Sequence, residues 1–394
     1  MIYLDHHATT PVLPEVLEAM WPYFAEHFHN PSAGYQAGKK ARRAMDEARA
    51  QVAELIGAKE EEIVFTSGGT EGNNMVLKSL ARLVGRKDSR VVTSAIEHSA
   101  VLRPVEAMAA VGFETELVGV DGRGVLDLEA WRASLEKAAG KGFASLMWAN
   151  NETGVVQPLA EACAAAKEAG LPFHTDAIQA VGKIPVDVRE VPVDFLSLSG
   201  HKFHAPKGIG ALYLREGMRF EPLTRGGGQE AGRRGGTESV ALIVGLGKAA
   251  ELAKKRLEAG EMARVATLRD RLEAALEREI SGVGVNGREA ERLPTCAHVS
   301  FEGCEGAGLL ILLDEAGVQV STGSACMSGQ QQASHVQRAM GFAEARAKSS
   351  LRLSLSALTT ETEVDEAVRA ITKAVAKLRS VQGGSGVGPV VVYS

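Results

Sequence analysis

The pattern of this chain predicts an α/β fold: a large, mainly parallel sheet followed by a smaller α+β unit. Three observations carry that prediction. Short apolar runs alternate with helical periodicity through the first two thirds of the 394 residues. Polar clusters fall just after several of those runs, where ligands sit in open parallel sheets. A long helical stretch then follows a Gly-rich segment and leads into a region where strands and helices are mixed.

In order along the chain, Ala41, Ala44, Met45, Ala48, Val52, Leu55 and Ile56 recur at helical spacing, with Gly57 as a stop. A strand is predicted over 63–65, then a Ser-Gly-Gly-Thr turn and a helix carrying Met75, Val76, Leu80 and Leu83. Further buried strands are predicted over 90–95, 145–149, 173–175, 194–198 and 211–214, with helices near 101–110 and 159–169. Beyond the Gly-rich residues 225–236, one long helical segment, 240–279, bridges to the second unit. There strands are expected over 297–301, 318–321 and 351–356, and a helix over 307–315. Val364, Val368, Ile371, Val375 and Leu378 form the stripe of a final helix.

Composition narrows the function. Hydrophobic residues make up 45% and charged residues 24%, the balance of a globular protein, and a net charge of −5 gives no basic footprint for nucleic acid. Apolar runs such as 309–313 are far too short to span a bilayer, and the first residues lack the layout of a secretory signal. Four cysteines, Cys163, Cys296, Cys304 and Cys326, form no CxxC pair, so neither a disulfide scaffold nor a zinc site is expected. A reducing, cytoplasmic location follows as the expectation, without membrane or nucleic-acid partners.

Chemistry concentrates at a few positions. Lys202, flanked by His201 and His204, follows a predicted strand, and neighbouring cations with partial desolvation favour the neutral amine that bonds to an aldehyde. Asp176 lies 26 residues upstream; it suits the ring nitrogen of such a cofactor, and equally a helix N-cap. The turn from Ser67 to Asn74 before a helix suits a phosphate, without being a Walker loop. Arg352 interrupts an apolar strand pattern, where it calls for a carboxylate partner or a place at a surface edge. Cys326 sits in a small, polar setting unlike a core strand, as an accessible nucleophile would.

These residues stand within a longer series of motifs: Tyr3-Leu4-Asp5 with Ala8-Thr9-Thr10-Pro11, Asn30-Pro31-Ser32, Phe65-Thr66-Ser67-Gly68-Gly69-Thr70-Glu71, Glu97-His98, Asn150-Asn151-Glu152-Thr153-Gly154, His174-Thr175-Asp176, Ser199-Gly200-His201-Lys202, Gly226-Gly227-Gly228-Gln229-Glu230, Gly236-Thr237-Glu238, Gly323-Ser324-Ala325-Cys326 and Leu351-Arg352-Leu353-Ser354. In number and order they resemble the cysteine desulfurases, pyridoxal-phosphate enzymes of the class V, aspartate-aminotransferase-like fold. The stretch after Cys326 resembles that family's long-loop branch.

The resemblance implies a large cofactor-binding domain over 13–260. It also implies a small α+β domain, over 1–12 and 261–382, carrying the catalytic cysteine loop, and a flexible tail over 383–394. It implies that L-cysteine becomes L-alanine while Cys326 takes the sulfur as a persulfide, for iron–sulfur assembly or tRNA thiolation acceptors. Pyridoxal 5'-phosphate would be held by Lys202 at its aldehyde and Asp176 at its ring nitrogen. His98 would stack on the ring and shuttle protons, with Asn151 and Gln179 on the ring hydroxyl side and Gly69, Thr70, Ser199 and His201 at the phosphate. Thr237 would reach the phosphate of the partner subunit in a homodimer. Arg352, Asn30 and Asn151 would bind the substrate, and Cys326 would also serve as a transient cluster ligand shared with an iron–sulfur scaffold. His6-His7 replaces the family's common Asn-Ala, an expected change at the entrance. Gly69 and Gly72 replace frequent Ala and Ser, from which a looser phosphate turn is expected. Another lyase or transaminase of this fold, including a selenocysteine lyase, and a cofactor-free scaffold are the competing readings.

Overall fold

The computed structural model describes residues 1–322 and 333–383. In chain order the strands are β1 (Ile2–Tyr3), β2 (Ile63–Thr66), β3 (Arg90–Ser94), β4 (Glu114–Val118), β5 (Gly142–Ser145), β6 (Phe173–Asp176), β7 (Phe195–Ser199), β8 (Gly210–Leu214), β9 (Val283–Val285), β10 (Cys296–Phe301), β11 (Val318–Gln319) and β12 (Ser350–Ser354). Seven form one sheet in the order β2-β8-β7-β6-β5-β3-β4. Pairings from β4 through β3, β5 and β6 to β7 are parallel, while β8 runs antiparallel to both β7 and β2.

Alternation along these strands builds two cores, because successive side chains leave opposite faces of a sheet. Val64, Phe143, Phe195 and Leu212 pack with Met75, Val76 and Leu80 of the helix Gly69–Val84. Their neighbours Phe65, Ala144, Leu196 and Ala211 belong to a second cluster with the helices Gln36–Ile56 and Val240–Glu258. Those two helices meet so closely that a Cβ on Gly247 would lie 2.5 Å from Ala48 Cα. The first ends at Gly57 in the left-handed conformation, φ +69°, as the stop signal predicts.

A third core surrounds the antiparallel sheet β12-β10-β9 and the parallel pair β1–β11. Val364, Val368, Ile371 and Val375 of the final helix, Glu361–Gly383, are buried in it, as are Ile2 and Leu4.

Two expectations need correcting. The helical stretch 240–279 is two helices, Val240–Glu258 and Glu261–Glu279, parted at Gly260 with φ +68°. The break accompanies a change of core: Ile243, Leu246 and Ala250 pack with the large sheet, whereas Leu268, Leu272 and Leu276 pack around β10 and β12. The apolar run 145–149 is also not a strand, since β5 ends at Ser145. Leu146 and Trp148 still donate to the carbonyls of His174 and Asp176, but the Met147 N–H goes to the Glu97 carboxyl at 2.7 Å. β4 has an exposed Glu114, half-buried Thr115 and Glu116, an exposed Leu117 and a single buried residue, Val118, so it carries no apolar run to betray it. Among the described residues no helix is long and apolar enough to cross a membrane.

Candidate active site

β2, β6 and β7 all deliver their carboxyl ends to one side of the sheet, because β8 reverses direction between β2 and β7. Asp176 closes β6, and Ser199 closes β7 just before the turn Gly200–Lys202. Residues Ser67 and Gly68 link β2 to the helix Gly69–Val84. Asp176, Ser199 and the first residues of that helix border a cavity of about 390 Å3. Gly69, Thr70, His98, Asn151 and Asp176 line it, with Gln179, Ser199, His201, Lys202 and Arg352. Ten sequence-predicted positions therefore converge, although they span most of the chain.

Lys202 Nζ donates to the carbonyls of His7 at 2.6 Å and Ala8 at 2.9 Å. Burial, then the Arg352 guanidinium, bring its pKa down to about 8, against the pull of Asp176 and Asp5. As a neutral amine it spends both hydrogens on those carbonyls and keeps its lone pair free.

Asp176 accepts from Asn73 Nδ2 at 2.7 Å and from the Ile178 N–H at 3.0 Å. Burial still pushes its carboxyl upward. A buried carboxylate on a cavity wall suits a cationic group within the cavity. Burial pushes His98 downward, so its ring is neutral near pH 7. Its Nδ1 accepts from the Ala100 N–H at 3.1 Å, which places the ring proton on Nε2.

The helix Gly69–Val84 directs its free N–H groups and positive end toward the cavity, beside Thr70, Ser199 and His201. Gly68, with φ +150°, allows the backbone to turn in close. The turn is not loose, contrary to expectation. A Cβ on Gly69 would collide with Ile178 Cδ1, and one on Gly72 would sit 3.0 Å from Ser197 Oγ. The Gly-rich residues before Thr237 are anchored too. Glu230 takes both arms of Arg49 at 2.8 Å and the Phe65 N–H, and Arg234 meets Glu71 at 2.9 Å.

Arg352, 6% exposed, has a carboxylate partner within the chain: its Nη2 meets Asp5 Oδ1 at 2.6 Å, and its Nη1 donates to the Asn151 carbonyl at 3.0 Å. Its buried Nε has no acceptor among the described residues.

Not every expected residue joins this group. Asn30 is exposed and caps the Ser32 N–H at 2.8 Å, and Thr237 is exposed outside the cavity. Cys326 lies outside the described residues, as do nearly all of the expected tail. The other thiols are buried: Cys163 and Cys296 are each pushed up to about 11 by burial, and Cys304 is raised by the same cause. They are inert thiols at neutral pH.

Sequence reasoning missed four neighbours of the site. His7 is not an entrance residue but a wall, 1% exposed, with Nε2 2.8 Å from Thr295 Oγ1. Asp5, Asn73 and Lys183 touch Arg352, Asp176 and Gln179 respectively. Their motifs supplied the signal for Asp5, but nothing local marks Asn73 or Lys183 as buried.

The arrangement suits a flat, phosphorylated ring with an aldehyde beside Lys202. The family model described as aminotransferase class-V matches residues 2–367. A cysteine desulfurase of Gluconacetobacter diazotrophicus is 47% identical over 383 residues, covering 96% of this chain and 94% of the relative. Cysteine desulfurase NifS of Azotobacter vinelandii is 45% identical over 391 residues, covering 99% and 96%. Among solved structures, SspA in complex with cysteine superposes with a TM-score of 0.80 at 35% identity, covering 91% of this chain and all of that one. By motif order, fold and overall similarity, the chain belongs to the aminotransferase class-V family and, within it, to the cysteine desulfurases.

Proposed function

We propose that this chain is a pyridoxal 5'-phosphate-dependent cysteine desulfurase that converts L-cysteine to L-alanine and carries the sulfur on Cys326 as a persulfide. The observation that carries the reading is the shared cavity. An amine tuned to about 8, a buried carboxyl and a neutral imidazole face it together with a helix N-terminus. When bound, the cofactor supplies an aldehyde that captures an amine and a protonated ring that withdraws electron density.

Lys202 would hold the aldehyde carbon, Asp176 the ring nitrogen, and Asn151 and Gln179 the ring hydroxyl side. Gly69, Thr70, Ser199 and His201 would hold the phosphate, with Thr237 supplied across a homodimer. Lys202 Nζ, once free, takes the substrate's α-proton, and His98 Nε2 holds a proton on the other side of the exchange. Arg352 would bind the substrate carboxylate, with Asn151 beside it on the cavity wall. Its Nε is a buried donor with no acceptor among the described residues, and Asp5 keeps its fork oriented. Transfer from Cys326 to an iron–sulfur scaffold or another acceptor completes the cycle, with Cys326 a transient cluster ligand. We also read 13–260 as the cofactor-binding domain, 1–12 with 261–382 as the smaller one, and the protein as cytoplasmic.

The test is a visible spectrum of purified protein with added pyridoxal 5'-phosphate, followed by an alanine and sulfide assay with L-cysteine and reductant. Wild type is expected to hold a bound-cofactor band and release both products. Lys202→Ala is expected to lose the covalent band, and Cys326→Ala to keep the band but lose sulfide release. Many turnovers by Cys326→Ala would reject the assigned sulfur acceptor. A transaminase would make a keto acid instead of alanine, and a selenocysteine lyase would favour selenocysteine.

A further inference from the structure

The side-chain amide of Gln179 is held from both ends. Its Oε1 accepts from Lys183 Nζ at 2.5 Å, and its Nε2 donates to the His7 carbonyl at 3.0 Å. The same carbonyl accepts from Lys202 Nζ. Lys183 is 5% exposed and does not line the main cavity; it borders a neighbouring one of about 30 Å3, shared with Lys202, His6 and His204.

A lysine is costly to bury. The charged groups facing this one are Lys202 and Arg352, with the Cys296 thiol close by, and burial drives its amine toward the neutral form. No acidic group compensates among these neighbours, so its hydrogen bond to Gln179 is the interaction that gives it a use. Rotating the Gln179 amide by half a turn would set its oxygen against the His7 carbonyl oxygen and withdraw the acceptor from the Lys183 N–H. Lys183 and His7 therefore hold one orientation of an amide that borders the main cavity, and it leaves the second Nε2 hydrogen of Gln179 without a partner among the described residues.

We propose that Lys183 is a positioning residue that, through Gln179, turns a hydrogen-bond donor toward the cofactor's ring oxygen and so favours its ionised form. This rests on the cofactor reading above.

The experiment titrates the visible spectrum of the holoenzyme with pH and measures cofactor affinity by equilibrium dialysis, in wild type, Lys183→Met, Gln179→Leu and the double variant. Lys183→Met is expected to raise the spectral midpoint by about one pH unit and weaken cofactor binding about tenfold. Added to Gln179→Leu, it is expected to change affinity by less than about twofold and to leave the midpoint in place, because it acts only through that amide. Unchanged values in Lys183→Met would overturn the proposal. So would equal shifts in both backgrounds, which would mean that Lys183 acts by its own charge. Exchange of a buried lysine for an apolar residue of similar length is compatible with folding. Should Lys183→Met not fold, Lys183→Gln runs the same cycle, with a smaller shift expected beside Gln179 and none without it. A wild-type protein with no cofactor band would defeat the cofactor reading itself, and this inference with it.

Discussion

Glu97, next to His98, is fully buried, and burial pushes its carboxyl up to about 8 despite hydrogen bonds from the Met147 N–H and the Ser94 hydroxyl. Glu152 is raised by burial to about 7, with the Ser334 hydroxyl donating to it at 2.5 Å. Both folded-state values lie above the ordinary carboxylate value of 4.5. Their contribution to stability is therefore fully present below pH 4.5 and is lost as pH rises through 7 and 8. Glu97→Gln is expected to flatten this fall and to raise the melting temperature at pH 9 by ~5 °C, with little change at pH 4. Thermal melts of both proteins across pH check it; a parallel pair of curves would refute it. Lys202, Asp176 and His98 were legible because each stands in a motif beyond a strand. Asn73 and Lys183 were not, since the burial of a polar side chain depends on what the rest of the chain brings against it.

At the scale of elements, Gly69 at the start of the helix Gly69–Val84 is governed by contact, whereas Gly68 before it is governed by glycine's freedom. Gly69→Ala drives a methyl into Ile178 Cδ1. Because that atom ends a flexible side chain, the expected cost is about 1–2 kcal/mol, together with weaker cofactor binding. Gly69→Ala with Ile178→Ala is expected to recover most of the affinity, measured by dialysis; no recovery would mean that the backbone itself had moved. The strands β7 and β8 were legible as largely apolar runs because both faces of each are buried. β4 was not, as a half-exposed edge. The break at Gly260 was hidden because the helical periodicity continues across it while the core it faces changes.

At the scale of the whole molecule, three regions distant in sequence are tied together by one ion pair. Arg49 on the helix Gln36–Ile56 lies 4.5 Å over the Phe65 ring of β2 and grips Glu230, 2% exposed at its side chain, in the Gly-rich segment. Glu230→Ala strands a buried guanidinium and the Phe65 N–H, at an expected cost of about 3–5 kcal/mol in urea unfolding. Arg49→Met with Glu230→Met is expected to cost less than the single change, and a larger loss would refute the stranded-charge account. The sequence by itself determined the α/β class, the family and most residues that border the cavity, because these rest on local periodicity and on motifs whose chemistry is written in residue type. Only the tertiary structure decided that Asp5 pairs with Arg352, that His7 is a wall, and that Lys183 stands behind Gln179. Each of those depends on two segments meeting across the fold, and neither segment alone contains the other's position.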